Sequence, residues 1–414
     1  MFSGKKILLG VTGGIAAYKA AELARRFQKE GGEVRVILTR GGASFVGPLT
    51  FQALTGNPVS TELFNPGQER EISHIELADW ADVFMIAPAT ANVIAKLAAG
   101  MADDLLTTVA LAVQAPVVVA PAMNVHMFRH KAVQRNLKEL RAAGVHIVDP
   151  GEGEMACGHV GEGRLAEIED LIDGVSRALT DQDLSGVGVL VTAGPTEEPV
   201  DPVRILTNRS SGKMGYALAR AAWRRGAEVT LVSGSVESTL RAPRGVTVIR
   251  VATAREMNRE VQERFTKASV VVMAAAVADW TPRAASASKI KKGEGSLTLD
   301  LEETPDILSQ LGRAKGERLL IGFAAETERV LENAREKLAR KNLDVIVAND
   351  VTAEGAGFDV DTNRITILDR DGTQEAFPLL SKEYAADAVM DRVVRRLNQS
   401  STTDATPSPA KPGA

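Results

Sequence analysis

Apolar and polar positions along this chain change period at intervals, and each change marks an element. Lys5-Lys6-Ile7-Leu8-Leu9-Gly10-Val11 is a short apolar run ending at Thr12-Gly13-Gly14, which reads as a buried strand. From Ile15 the spacing turns helical: Ala16, Ala17, Ala20, Leu23, Ala24 and Phe27 form one stripe, with Lys19, Glu22, Arg26 and Lys29 opposite. Gly31-Gly32 stops that helix, and Val34 to Leu38 is a second strand. Strand, glycine turn, helix and strand make a βαβ unit, whose helix N-terminus offers N–H groups and positive dipole to a phosphate.

The unit recurs. Val187 to Val191 predicts a strand, Thr192-Ala193-Gly194 a turn, Gly215 to Trp223 a small-residue helix and Ala227 to Val232 another strand. A long insertion, Pro195 to Met214, separates the second turn from its helix, and long loops at such places are often functional. The fold class expected is therefore α/β, with two Rossmann-like three-layer domains at 1–180 and 187–398. A polar linker, 181–186, joins them, and a Ser/Thr/Pro-rich tail, 399–414, should be disordered.

Between these landmarks the first half predicts a helix over Ala43 to Leu54 and a polar loop, Phe64 to Ser73, leading to His74. Strands follow at Ala81–Ala87, Pro116–Ala120 and His146–Val148, helices at Val93–Ala99 and Lys131–Ala143, and a glycine-rich loop at Gly151–Gly163. The second half predicts strands at Val270–Ala276, Leu319–Phe323 and Asp344–Ala348, and helices at Pro305–Leu311 and Glu326–Lys341. A terminal hairpin is expected at Ile365–Leu368, and Ser286 to Gly293 reads as a mobile basic loop. Ligands of open parallel sheets sit beyond the carboxyl ends of the strands. Thr12, Thr39, Pro88-Ala89-Thr90 and Met123-Asn124 all lie at such ends and should face one crevice.

Composition narrows the partners. At 414 residues, two domains are the natural division. A net charge of -4 gives no reason to expect nucleic acid or an anionic membrane. No apolar run reaches the ~20 residues that span a bilayer. The N-terminus leads straight into a core strand rather than into a cleavable signal, and a single cysteine excludes an internal disulfide framework. A cytoplasmic protein is the expectation.

The glycine turns suit NAD, FAD, FMN or a mononucleotide. Dinucleotide binding also needs an acidic residue at the end of the second strand. Here those ends read Leu38-Thr39-Arg40 and Val232-Ser233-Gly234. Neither is acidic, which argues against the rival reading of an NAD-dependent oxidoreductase with a fused substrate domain. Cys157 sits in a glycine-rich loop, a poor core, and its thiol, with an ordinary pKa of about 8.5, can act as an acid near pH 7. His159 makes no metal site with it alone. His74 reads equally as a surface or capping residue, and Asn124 as a turn residue or a clamp for a carboxylate.

Taken together, Gly13-Gly-Ile-Ala-Ala-Tyr-Lys19, His74, Pro88-Ala-Thr-Ala-Asn-Val-Ile-Ala-Lys96, Pro121-Ala-Met-Asn-Val-His-Met127 and the Cys157 loop resemble the flavodoxin-like, homo-oligomeric, flavin-containing cysteine decarboxylases. The second half resembles phosphopantothenate–cysteine ligase. The resemblance rests on Thr192-Ala-Gly-Pro-Thr-Glu-Glu, Asn208-Arg-Ser-Ser-Gly-Lys-Met-Gly215, Ala274-Ala-Ala-Val-Ala-Asp279, Lys289-Ile-Lys-Lys and Pro305-Asp-Ile-Leu308. The chain departs from these patterns where Gly14 replaces a common Ser, and where Thr207 and Arg209 flank Asn208 in place of Ser and His.

The first resemblance implies FMN, held by Gly13, Gly14, Ile15, Thr39, Pro88, Thr90, Asn92 and Met123. In that family FMN oxidises the substrate's cysteine side chain to a thioaldehyde, which accepts electrons as carbon dioxide leaves, and the enethiol is then reduced. Carried over, His74 is the base, Asn124 the carboxylate clamp and Cys157 the acid. A non-catalytic flavin-binding regulatory subunit would have lost His74 or Cys157, and both are present. The second resemblance implies an acyl cytidylate made from CTP and 4′-phosphopantothenate, which cysteine then attacks. It gives Asn208 the handling of that intermediate and Lys289 closure on the triphosphate. It places CTP against Met273, Ala274, Ala275, Asp279, Pro305, Asp306, Ile307, Leu308, Phe323, Lys337 and Lys341, with Mg²⁺ on Asp279. It also implies a trimer-based dodecamer in which ligase domains dimerise.

Overall fold

The computed structural model describes residues 1–63, 74–154, 158–292, 296–326, 328–350, 355, 357 and 360–403. Cys157, the 64–73 loop and the tail from 404 lie outside the described residues. The chain forms two compact units, Met1–Asp181 and Gln182–Ala414.

In the first unit, β1 (Lys6–Val11), β2 (Glu33–Leu38), β3 (Val59–Ser60), β4 (Val83–Ala89), β5 (Val117–Pro121) and β6 (His146–Ile147) form one sheet in the order β3-β2-β1-β4-β5-β6. All its pairs are parallel, β1 meeting β2 at Lys6↔Glu33 and β4 at Ile7↔Val83. This is the doubly wound Rossmann order, which reverses beside β1 and opens a crevice there. Because side chains alternate along a strand, Leu9 and Val11 face Leu23, Ala24 and Phe27 of the helix Ala17–Lys29. Leu8 faces the opposite layer, which holds Ile94, Leu106 and Leu137. A strand covered on both faces needs an unbroken apolar run, and β1 has one.

Two expectations change here. The helix read over Ala43 to Leu54 is two helices, Arg40–Ala43 and Pro48–Thr55, because Gly47 is extended and Pro48 opens the second. The glycine-rich loop Gly151–Gly163 has antiparallel arms, β7 (Gly151–Glu154) and β8 (Val160–Arg164). Gly153 and Gly161, at φ +149 and +151, face each other in that ladder.

The second unit repeats the plan with β9 (Gly188–Ala193), β10 (Glu197–Pro199), β11 (Ile205–Thr207), β12 (Glu228–Ser233), β13 (Thr247–Arg250), β14 (Val270–Met273), β15 (Trp280–Pro282), β16 (Leu301–Glu303), β17 (Leu319–Glu326), β18 (Val345–Asp350), β19 (Thr362–Asp369) and β20 (Gln374–Ser381). Its main sheet runs β13-β12-β9-β14-β17-β18-β19-β20, with β19 and β20 added antiparallel as the expected terminal hairpin. One face packs on the helix Lys213–Arg224 through Tyr216, Ala217 and Ala221, together with Val389 and Met390 of the helix Lys382–Thr403. The other face packs on Met257, Leu311 and Leu338.

The insertion at 195–214 is not irregular: it folds into the β10–β11 hairpin. Buried Glu198 accepts the Ala254 N–H at 2.8 Å, placing a carboxylate at the N-terminus of the helix Ala254–Phe265. Of the stretch read as a linker, Leu184 is fully buried, its N–H donates to the Arg225 carbonyl at 2.9 Å, and Gln182 Nε2 donates to the Arg224 carbonyl at 2.8 Å. Chain that looked like tail is helical as far as Thr403.

Candidate active sites

In the first unit, a buried threonine hydroxyl ties the strand ends together. Thr12, 1% exposed, donates to the Pro88 carbonyl at 2.7 Å and accepts the Thr90 N–H at 3.1 Å. Those bonds bracket Ala89, just after the cis Ala87–Pro88 peptide, and join the ends of β1 and β4. At the end of β2, Thr39 donates to the Val11 carbonyl at 3.2 Å and accepts the Gly42 N–H at 3.1 Å. These ties bring two backbones together: a Cβ on Gly13 would lie 2.8 Å from the Gly41 carbonyl carbon, so only glycine fits. Thr90 then caps the helix Ala91–Ala99 by accepting from Val93.

The result is a cleft of about 520 Å³ lined by Thr12, Gly13, Thr39, Thr90 and Asn92. Its cations, Arg40 and Lys96, were not singled out in the sequence for this site. Lys96 sits 2.7 Å from Asp103 and 3.4 Å from Asp104; the Asp103 bond outweighs burial and raises the ammonium pKa above its ordinary value. The motif carried a signal for it, since Lys96 falls one turn into a helix that starts at a strand end. Gly14 and Ile15 form an open turn instead: nothing would meet a Cβ on Gly14 within 4 Å, and Ile15 is 63% exposed. Pro88 contributes its carbonyl to Thr12, and Met123 donates its N–H to Gly163 at 2.9 Å.

Asn124 caps the short helix Val125–Phe128 with Oδ1 accepting the His126 N–H at 2.9 Å. Its Nδ2 therefore points outward and lies 2.9 Å from His159 Nδ1. The His126 and His159 rings meet edge-on at 5.2 Å. The fold thus brings Asn124 beside β8 and the residues that follow Cys157, a juxtaposition that 35 residues of separation concealed. His74 opens the helix His74–Trp80 and is half-buried; it is not among the residues lining the 520 Å³ cleft.

In the second unit, Thr192 repeats the part of Thr12: its hydroxyl accepts the Ala275 N–H at 3.1 Å, tying β9 to the end of β14. Two clefts open there, of about 580 and 570 Å³, sharing Ala275, Val277, Asp279, Phe323 and Lys337 as a common wall. The 570 Å³ cleft gathers Met273, Pro305, Asp306, Ile307, Leu308 and Lys341. The 580 Å³ cleft gathers Asn208, Ala274 and the N-terminus of the helix Lys213–Arg224, where Gly212 at φ +74 turns the chain.

Local bonds orient these side chains. Asn208 Nδ2 donates to the Val277 carbonyl at 2.9 Å, and Lys337 Nζ to the Phe323 carbonyl at 2.8 Å. Asp306 caps the helix Ile307–Ala314 and bonds Lys341; burial pushes its carboxyl up, but Lys341 and Ser309 together hold it below its ordinary pKa. Lys213 pairs with Asp361 at 2.6 Å, and Lys382 donates to the Val360 carbonyl. Lys213, Asn363 and Lys382 line the 580 Å³ cleft and were not predicted; for Lys382, more than 160 residues beyond Lys213, no sequence signal existed. Lys289 is exposed and lines neither cleft. Among the described residues no group of three or more His, Cys, Asp or Glu converges as a metal site, and no helix is long and apolar enough to cross a membrane.

The family model described as Flavoprotein matches residues 1–180, and that described as DNA/pantothenate metabolism flavoprotein C-terminal domain matches 184–397. The chain is 49% identical over 386 residues to the coenzyme A biosynthesis bifunctional protein CoaBC of Bacillus subtilis (strain 168), covering 92% of this chain and 95% of that one. It is 45% identical over 402 residues to the protein of the same name from Escherichia coli (strain K12), covering 96% and 98%. A crystal structure of the C-terminal domain of a protein with that name shares 41% identity, covers 53% of this chain and all of its own, and superposes with a TM-score of 0.46. The matches run in the same order along nearly the whole chain: it belongs to the family of bifunctional coenzyme A biosynthesis proteins named CoaBC.

Proposed function

We propose that the second unit joins cysteine to 4′-phosphopantothenate at the expense of CTP, and that the first unit decarboxylates the product, 4′-phosphopantothenoylcysteine, to 4′-phosphopantetheine with FMN. The observation that supports this reading best is the shared wall of Asp279, Phe323 and Lys337. It adjoins a cleft suited to a nucleoside on one side and a helix N-terminus suited to phosphates on the other.

In the ligase half, the pantothenate carboxylate attacks the α-phosphorus of CTP and expels pyrophosphate; the cysteine amine then attacks the acyl carbon and expels CMP. Asn208 holds the acyl phosphate, and Lys337 and Lys341 balance its charge. Asp279 is a single carboxylate, so Mg²⁺ there would complete its shell with triphosphate oxygens, the arrangement this hard cation favours. Lys289 reaches the triphosphate from its own segment.

In the decarboxylase half, the Gly13–Gly41 approach and the Thr12, Thr39 and Thr90 ends fit a flat, phosphate-bearing ligand. Flavin, when bound, would supply the two-electron chemistry. Asn124 holds the substrate carboxylate, His74 takes a proton and Cys157 returns one; general acid–base steps of this kind are worth roughly 10²–10⁴-fold. The protein works in the cytoplasm as a homo-oligomer.

The test is an assay of both half-reactions on purified protein carrying flavin absorbance. CTP with 4′-phosphopantothenate and cysteine should yield 4′-phosphopantetheine. Cys157→Ser should release carbon dioxide yet stall before that product, whereas near-wild-type product from this variant overturns the acid role. His74→Asn should stop carbon dioxide release itself.

A further inference from the structure

Asn124 stands just past the end of β5, and both ends of its carboxamide are held. Its Oδ1 accepts the His126 N–H at 2.9 Å, the bond that caps the helix Val125–Phe128. Its Nδ2 lies 2.9 Å from His159 Nδ1. A carboxamide nitrogen only donates, so the imidazole must accept through an unprotonated Nδ1 and carry its proton on Nε2. The His126 ring, meeting that of His159 edge-on at 5.2 Å and 81°, steadies the imidazole plane.

The chain that follows His159 is seated on the same segment. Met123 donates its N–H to the Gly163 carbonyl at 2.9 Å. Gly161, at φ +151, lets β8 lie against the short helix, since a Cβ there would come within 2.9 Å of Val125 Cγ2. Residues 159–163 thus meet 123–125 at three points, one of which is the His159–Asn124 bond.

The end of the carboxamide that faces a ligand decides what it can hold. A carboxylate offers acceptors only, so Nδ2 attracts it and Oδ1 repels it. The two arrangements differ by a half-turn about the last side-chain bond, which an unbraced Asn makes readily. Here a half-turn would set Oδ1 against His159 Nδ1, two acceptors, and Nδ2 against the His126 N–H, two donors.

We propose that His159 is a positioning residue of the decarboxylation: its unprotonated Nδ1 accepts one Asn124 Nδ2 hydrogen and keeps the donor edge of the carboxamide turned to the substrate carboxylate. The inference rests on Asn124 holding that carboxylate, as proposed above. His159 acts through Asn124.

The test compares His159→Ala, His159→Gln, Asn124→Ala and the double variant His159→Ala/Asn124→Ala in the flavin-bearing full chain, supplied with 4′-phosphopantothenoylcysteine. His159→Ala should raise the KM for this substrate at least about fivefold, the scale of one lost hydrogen bond, with kcat within about twofold. Inhibition by 4′-phosphopantetheine, which lacks the carboxylate, should not change, nor should flavin content or ligase turnover. His159→Gln keeps an acceptor oxygen and should recover most of the KM. Asn124→Ala should raise the KM further, and removing His159 from that background should add less than about twofold, because a residue acting through Asn124 then has nothing to hold. An unchanged KM in His159→Ala beside a raised KM in Asn124→Ala overturns the inference. Losses that add in full in the double variant overturn it as well, since they put His159 itself on the substrate. So does a 4′-phosphopantetheine inhibition constant that rises along with the KM, which means that the whole site has moved. If Asn124→Ala has a normal KM, the carboxylate role of Asn124 falls, and the positioning inference falls with it.

Discussion

The two units share a frame and differ in what they hang on it. Each has a threonine at the end of its first strand, Thr12 or Thr192, whose hydroxyl accepts an N–H from the end of the neighbouring strand. In the first unit the glycine turn passes almost at once into the helix Ala17–Lys29, and the cleft is built by close approach of two backbones at Gly13 and Gly41. In the second, the helix waits until Lys213, and the intervening chain folds into a hairpin carrying Asn208 and the Asp201–Arg204 pair. The crevice is a property of strand order. Its chemistry is a property of the first turn, tight in one unit and expanded in the other.

The strongest way to break this comparison is to fill each turn. Gly13→Val drives a side chain into the Gly41 backbone, and Gly215→Val drives one to 2.5 Å from Ala193 Cβ and 2.9 Å from the Thr192 carbonyl. Each should cost one half-activity at least about 100-fold, roughly 2.7 kcal/mol of barrier, and leave the other within about twofold. Gly13→Val should also purify without flavin absorbance. Loss of both activities from either variant would mean that the units do not act separately.

The threonine pair should separate more gently. Thr12→Val strips a partner from both the Pro88 carbonyl and the Thr90 N–H, and should destabilise the first unit by about 2 kcal/mol in urea unfolding. Thr192→Val removes a partner from the Ala275 N–H and a long 3.8 Å contact to Met273 sulfur, so its cost should be smaller. Equal costs would sink the argument that Thr12 is the more heavily committed of the two.

Charge sharpens the contrast next. Lys337→Met should raise the KM for CTP about tenfold, near 1.4 kcal/mol, and leave decarboxylation unchanged. A matching rise in the KM for 4′-phosphopantothenate with none for CTP would reassign the shared wall. The smallest effect concerns pH. Burial pushes the Asp201 carboxyl up, but the bonds from Val203, Ile290 and Arg204 prevail and hold it at about 2, below the ordinary carboxylate value of about 3.9. Its contribution is therefore fully present above about pH 4 and lost as pH falls toward 2. Asp201→Asn should show a flatter dependence of the urea midpoint on pH across that window, and an identical slope would remove Asp201 from the account.

Much of this was legible in the sequence because its causes are local. A continuous apolar run covered on both faces announces a parallel strand, a 3.6-residue stripe announces its helix, and the strand ends then place Thr39, Thr90 and Asp279 at crevices without any coordinates. The family resemblance named Asn208, Phe323, Lys337 and Lys341 as well. Three errors share one feature: chain that looked irregular by composition is ordered in the fold. Leu184 docks against Arg225, the Gly151–Gly163 loop pairs with itself, and the apparent tail extends a helix through Thr403. Local composition carries no record of the first, and in the other two a glycine- or serine-rich stretch lowers intrinsic propensity without forbidding a strand or a helix.

What the sequence alone determined, then, is the period of each element, the order of two βαβ frames and the residue types offered at their mouths. Only the tertiary structure decided which of those residues meet. It closed Gly13 on Gly41, set Lys382 and Lys213 on one cleft, turned Asn124 toward His159, and fastened Ile290 to Asp201 across 89 residues. The physical reason is that period is set by backbone geometry within a few residues. Juxtaposition is set by burial and hydrogen-bond satisfaction over the whole unit, where a buried carboxylate must find its donors wherever the chain supplies them.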